Sequence, residues 1–442
     1  MEKSITLKVS ALLSESGFSL DELVIKTKEL FDREGMAGFV ALLLELIDAY
    51  LCTTLVHKTG TWRPGPCCDH PAYELDQRVD RRLRTSVGTV HLCWRRLRCT
   101  HCGRSFLPLR EFLGLKRYQS KTSELERIVT EIVAEQNYRR LSRHLALIGE
   151  IPVPKSTAHR WVMASDCDKV TSDGKRGPLL FADGTGYKRR PDPEHGLDNG
   201  GELRVVLGVT SNGTVMPLGA WSGQSWSEIG TAIGPAGAEP IADVLISDGE
   251  PGLAEGLAHL VRDQQRCHWH QVHDLDRFMW MDGADKNERR EMQSHLAGII
   301  GIELPAEDFE QVSEKDKADI DQVTAAAERQ LEELVGTLEA RGYGRAAGYI
   351  RYAKDRLFTY VRWWLKSGLV MPRASSMIER LMRELGRRLK RIAFGWSEHG
   401  AAKMARIIIK RVTSAGEWNA YWLKKLRVTG QVTLTYKGVH AT

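Results

Sequence analysis

The stretch LLFADGTGYKRR, residues 179–190, decides how this chain is read. Four apolar residues lead into Asp183, glycines follow at 184 and 186, and Lys188, Arg189 and Arg190 close it. A short apolar run of this kind predicts a buried strand, here ending at Asp183. A carboxylate at such a strand end projects into a crevice, and glycine beside it lets another group come close. The run IADVLISDG, residues 241–249, repeats the pattern with Asp248 and Gly249. If the two strands are neighbours, the two acids lie within a few ångströms and repel each other. A shared divalent cation removes that repulsion, and Mg²⁺ prefers carboxylate oxygen. Paired Mg²⁺ ions on carboxylates are the usual means of phosphodiester transfer, which calls for a third acid. Each Asp-Gly pair also reads as an ordinary turn. Asp243 and Glu250 flank Asp248 as alternatives for the second acid.

Outward from these strands, the composition is that of a globular chain. The 442 residues are 42% hydrophobic and 27% charged, with a formal net charge of +6. That length predicts several domains and at least one sizeable core. The positive charge is clustered, in Arg78, Arg81, Arg82, Arg84, Arg95, Arg96 and Arg98 and again in Arg380, Arg383, Arg387, Arg388, Lys390 and Arg391. Such clusters predict a polyanionic partner, with solvated faces as the plain alternative. The N-terminus lacks the apolar segment of a secretory signal. The run AGFVALLLELIDAYL, residues 37–51, carries Glu45 and Asp48 and reads as a core or dimer helix with no membrane span. The expected location is cytoplasmic and nucleoid-associated.

Residues 19–58 are predicted helical, with Ser19 as N-cap and Glu22 completing a capping box. Residues 59–115 form a basic module. Five of the eight cysteines fall between Cys67 and Cys102, which in a cytosolic chain favours metal over disulfide. The sequence CTHCG gives Cys99 and Cys102 the spacing that turns two thiolates toward one ion. CCDH offers Cys67 and His70 at the same spacing, with Cys68 able to replace Cys67. Zn²⁺ takes four N or S ligands in a tetrahedron, so Cys67, His70, Cys99 and Cys102 predict a zinc-ribbon-like site around two strands.

A helix-turn-helix is predicted over residues 116–170. Its third helix, KSTAHRWVMA, has Ser156 as N-cap and His159 and Arg160 in its first turns. In such motifs those positions meet base edges, while Arg95, Arg96 and Arg387 would meet phosphates. Three or more strands follow from residue 171. From about 276 to 370 the chain reads as helical and aromatic-rich, before the basic helix SMIERLMRELGRRLKRI. There SMIE is also a capping box, with Ser376 as N-cap and Glu379 at N3. Residues 401–442 form a tail, with a lone strand at QVTLTYKGV.

Four segments together, LLFADGTGYKRR, VLISDGEPGLAEGLAHL, QRCHWHQ and PRASSMIERLMRELGRRLKR, resemble the DDE transposases of bacterial insertion sequences, in particular the mutator-type (MULE-like) group. The resemblance covers about residues 175–400. It implies a multidomain α+β chain whose RNase H-like α/β catalytic domain, about 171–400, carries a helical insertion. It implies Asp183, Asp248 and Glu379 as the three acids holding two Mg²⁺ or Mn²⁺ ions, with Glu384 as the rival third acid. Cys267 and His270 match the Cys/Asp-x-x-His motif that follows the second acid in that group. His270, Arg380 and Arg383 would orient DNA beside the scissile phosphate. The implied activity is cleavage at the terminal inverted repeats of an element and joining of the 3′-hydroxyl to target DNA. The implied partners are double-stranded DNA and a second copy of the chain. A nuclease that cuts without joining and a non-catalytic DNA-binding regulator are the alternatives.

Overall fold

The computed structural model describes residues 19–65, 67–149, 151, 153–169, 177–191, 200–391 and 394–426. The strand read at residues 431–439 lies outside them. The chain is mixed α+β and divides into two compact units. One comprises Met1–Ala164 with Trp422–Thr442, the other Ser165–Tyr421.

The first unit opens with α1 (Leu20–Leu30), which starts directly after Ser19 and passes through a π-helical turn at Phe31–Gly35 into α2 (Met36–Val56). At 21 residues α2 extends past the apolar run read in the sequence, and on length and composition alone it could cross a bilayer. Here one face packs on a hairpin. β1 (Tyr73–Thr85) and β2 (Gly88–Cys99) pair antiparallel, and β3 (Ser105–Phe106) adds a short third strand to β2. Leu51 of α2 joins Val90, Leu92, Trp94 and Leu109 in one core. Burying side chains of this size contributes about 2 kcal/mol each, enough to hold a long helix on a thin sheet. Asp48 is also buried on that face, where Oδ2 accepts from the Arg95 amide at 3.0 Å and from its guanidinium at 3.1 Å.

Four helices follow, α3 (Pro108–Phe112), α4 (Ser123–Glu135), α5 (Tyr138–Gly149) and α6 (Lys155–Ala164). The last three are those expected of the helix-turn-helix. Thr122 caps α4 by accepting from the Leu125 amide. The cap expected at Ser156 is not formed. Helix α6 begins one residue earlier, and the Ala158 amide donates to the carbonyl of Pro154, so Ser156 sits inside the first turn. Glu126 of α4 is buried between Lys121 and Lys425 of the same unit.

The second unit is a five-stranded sheet with helices. Its strands are β4 (Leu179–Lys188), β5 (Gly200–Val209), β6 (Val215–Ser222), β7 (Ala242–Ser247) and β8 (Val261–Arg266), in spatial order β6-β5-β4-β7-β8. The β4–β5 and β5–β6 pairs are antiparallel, and β4–β7 and β7–β8 are parallel. Helices α7 (Trp226–Ile233) and α8 (Leu253–Gly256) cover the face bearing Leu180 and Ala182. Strand alternation turns Leu179, Phe181 and Asp183 to the opposite face. Five helices then run to residue 367: α9 (His268–Met281), α10 (Lys286–Ile300), α11 (Glu314–Ala340), α12 (Gly344–Ala353) and α13 (Thr359–Ser367). They fill the expected helical insertion. Its Tyr360 and Trp364 are fully buried, so these rings pack a core. β8 is the sheet's last strand, and α13 lies along it. The Thr359 hydroxyl donates to the Gln264 carbonyl at 2.7 Å, and Trp363 Nε1 donates to Asp263 at 2.8 Å. The chain returns to the sheet as α14 (Ser376–Leu389), packed on β4, then α15 (Glu398–Thr413), packed on β6.

Candidate functional site

Strand β4 does not stop at Asp183. It continues to Lys188 because β5 stays paired along its whole length, whereas parallel pairing with β7 ends at Ala182 and Ser247. Asp183 and Asp248 are the residues that follow this last parallel pair, so they stand side by side where β7 leaves the sheet. Gly249 (φ +80°) turns the chain there, and the Glu250 amide donates to Asp248 Oδ1 at 3.0 Å. A side chain at 249 would collide with the guanidinium of Arg266, 1.4 Å from where its Cβ would stand. Arg266 is buried at the end of β8 and holds Gln271 at 3.0 Å and the Tyr349 hydroxyl at 2.8 Å.

Glu379 reaches the same crevice from the first turn of α14. His270 comes from the first turn of α9, and its Nδ1 is 3.9 Å from Glu379 Oε1. Burial pushes the Asp183 carboxyl up to about 7. The charge of Asp248 adds to the rise, as does that of Glu379, against the Gly184 amide and His270. Burial opposes charge on His270 as well, but its hydrogen bond to Cys267 and the charges of Cys267, Asp248 and Asp274 outweigh it and raise its pKa. Asp183, Asp248 and Glu379 thus lie within electrostatic reach of one another, while the ligand atoms that Glu379 meets within 4.8 Å are those of Cys267 and His270.

The other acids are engaged elsewhere. Asp243 lies at the far end of β7, paired with Arg262. Glu384 pairs with Arg387 at 2.7 Å and lines a separate cavity of about 620 Å³ with Arg380. Glu250 accepts from Trp226 Nε1 at 2.8 Å and from Arg204 at 3.2 Å, and its carboxylate fills the space that a side chain at Gly184 would need. The Glu250, Arg204 and Trp226 group was not read in the sequence, because its members lie on three separate elements.

The two arginines of LLFADGTGYKRR bind protein, while Lys188 is exposed. Arg189 is buried and pairs with Glu398 at 3.2 Å. Arg190 Nε donates to the Gly395 carbonyl at 3.0 Å, and the Trp396 amide donates to the Lys188 carbonyl. They fasten the turn between α14 and α15 to β4.

In the first unit, Cys67, Cys68, Cys99 and Cys102 bring their sulfurs within 4.8 Å of one another. The group could hold a zinc ion. Both Cys67 and Cys68 belong to it, and His70 does not. The His70 ring instead packs edge-on to His101, 6.3 Å between centroids. Backbone amides at Cys102, Ala72 and His101 lower the Cys99 thiol to about 6, while burial pushes Cys68 up to about 12. Four thiols so close cannot all ionise without a cation.

Among the expected DNA contacts, Ser156, His159 and Arg160 are exposed on α6, with the His159 ring against Tyr138. Arg380, Arg383 and Arg387 are exposed on α14. Arg95 and Arg96 are engaged within the unit, with Asp48 at 3.1 Å and Asp76 at 2.7 Å.

No family model matches the chain, and no curated protein matches it. Among solved structures, the Drosophila P element transposase strand transfer complex aligns with a TM-score of 0.25 at 10% identity, over 68% of this chain and 80% of that one.

Proposed function

We propose that the chain is a metal-dependent DNA transposase of the insertion-sequence type. The observation that supports this reading is the electrostatic coupling of Asp183 to Asp248 and Glu379, which come from a central strand, the end of its parallel neighbour and a helix more than a hundred residues later in sequence. The strand order β6-β5-β4-β7-β8, with three antiparallel strands followed by two parallel ones, supports an RNase H-like catalytic domain.

In this reading Asp183, Asp248 and Glu379 hold two Mg²⁺ or Mn²⁺ ions. Bound there, the ions would activate a water or 3′-hydroxyl and stabilise the leaving oxygen of a phosphodiester. The protein's part is to hold three acids rigidly on a sheet and a helix that pack together, so that little reorganisation is needed at reaction. His270 stands beside Glu379, where its imidazole could meet a phosphate. Arg380 and Arg383 extend from α14 toward solvent, where they suit a DNA backbone. The four cysteines hold structural zinc. Helix α6 presents Ser156, His159 and Arg160 to bases of the element ends. Two ends require two active sites, so the working form is at least a dimer on DNA.

The test is incubation of the protein and Asp248→Asn with element-end DNA and Mg²⁺. Cleaved and joined products are expected from the wild type alone. Equal activity from the variant would remove the catalytic assignment. Cleavage without joining would make the chain a nuclease.

A further inference from the structure

The helix that delivers Glu379 begins at Ser376, so its cap position belongs to Ser375 and not to Ser376 as the sequence suggested. A serine there normally turns its hydroxyl to a free amide of the first turn. Ser375 does not: its side chain makes no capping bond to α14. Helix α14 therefore gives up a contact worth about 1 kcal/mol.

The hydroxyl points into the site. Ser375 Oγ lies 2.9 Å from Glu379 Oε1, 3.3 Å from Cys267 Sγ and 3.5 Å from His270 Nδ1. Those three partners form a compact Cys, His and Glu group with their donor atoms within 4.8 Å of one another. Such a group by itself suggests a thiophilic metal site. Here a serine oxygen stands within contact of all three, where an ion would have to sit, and so the group reads as a hydrogen-bond cluster. A hydroxyl carries one proton, and an ionised carboxylate can only accept, so the proton belongs to Glu379 at the shortest of the three distances. The serine is fixed from behind. Its amide donates to Cys267 Sγ at 3.3 Å, and two residues earlier the Arg373 carbonyl accepts from the His268 amide at 2.9 Å. Ser375 is 1% exposed, so water does not compete for these bonds.

We propose that Ser375 is a positioning residue that aims Glu379 into the acidic crevice, with Cys267 as the anchor that holds Ser375. This rests on the reading of Asp183, Asp248 and Glu379 as a cation site. The carboxylate is left with one oxygen tied to a fixed hydroxyl and the other free for the cation. Groups that orient a ligating carboxylate in this way typically contribute about 10-fold to 100-fold in metal affinity.

Mn²⁺ binding followed by electron paramagnetic resonance tests it, on full-length protein with its zinc retained. Wild-type protein is expected to bind Mn²⁺, and Asp183→Asn to lose it. Ser375→Ala is expected to bind about 10-fold more weakly, with thermal unfolding lowered only by the loss of one buried hydrogen bond. Ser375→Thr, which keeps the hydroxyl, should bind like the wild type. Mn²⁺ lost in Asp183→Asn but held by Ser375→Ala at wild-type affinity would overturn the role of Ser375 alone. Equal weakening in the Ala and Thr variants would overturn it too, since the position would then need only its small size. A wild type that binds no Mn²⁺ would overturn the cation site and this role together.

Discussion

The cysteine cluster and the acids around Asp183 are the two candidate ligand sets, assembled in opposite ways. Cys67 and Cys68 adjoin one another, and Cys99, Cys102 and the hairpin between the pairs lie within 36 positions of them. Strands β1 and β2 bring the two pairs together without help from the rest of the unit. Asp183, Asp248, His270 and Glu379 span nearly two hundred positions and rest on the sheet's central strand, a turn and two helices. The first set can form early and locally, and a zinc ion held there would close it. The second is placed by the fold of its unit, where burial and the neighbouring acids raise the Asp183 carboxyl.

The largest effect is expected where the ion holds the fold. If the four cysteines hold zinc as proposed, Cys99→Ser should remove it, read as metal content per chain by mass spectrometry. Structural zinc sites bind with about 10 kcal/mol or more, so the hairpin should become open to protease while residues 165–421 stay resistant. Unchanged zinc content would remove the four-cysteine assignment.

A smaller loss is expected in the crevice from Gly249→Ala. It forces a side chain onto a left-handed turn and into a buried guanidinium, a combined cost of about 3 kcal/mol. Chemical denaturation of the second unit should show that loss, and an unperturbed midpoint would mean that Arg266 is freer than its burial suggests.

Glu126→Gln tests whether the first unit has ionic support apart from the cysteine cluster. Burial works against the Glu126 charge, but hydrogen bonds to Lys121 and Lys425 outweigh it and hold its pKa below the usual carboxylate range. The stability it adds is therefore present above the unfolded carboxyl pKa, about 4.3, and lost as pH falls through the lower folded value. The variant should be roughly 2 kcal/mol less stable at neutral pH, with the gap closing below about pH 4. A gap independent of pH would point to packing.

The smallest effect is the most informative about the cluster. His70→Ala should leave zinc content unchanged, since Cys68 supplies the fourth sulfur. Loss of zinc would restore the imidazole as a ligand.

Legibility in the sequence followed the same division. Two Asp-Gly pairs ending apolar runs were visible because alternation and local turn chemistry mark them. Glu379 was visible only by its place in an ordered set. The continuation of β4 beyond Asp183 was not, since Gly184 and Gly186 look like a strand end until β5 is known to pair across them. Ser375 and Arg266 left no local sign. Ser375 is one of two adjacent serines, and which one takes the cap position depends on Cys267, more than a hundred positions away. Arg95 was read as a phosphate contact because nothing near it in sequence shows that Asp48, on another element, neutralises it.

One feature of the sheet bears on how the molecule could be shortened. Strand β8 ends the sheet, and Thr359, Tyr360 and Trp363 of α13 use its carbonyl and side-chain acceptors. The helical insertion thus acts as a cover for a strand edge that would otherwise recruit other chains. A variant trimmed from residue 282 to 372 would keep all three acids and still be expected to gather into aggregates. The insertion is a solubility element as much as an addition to the sheet unit.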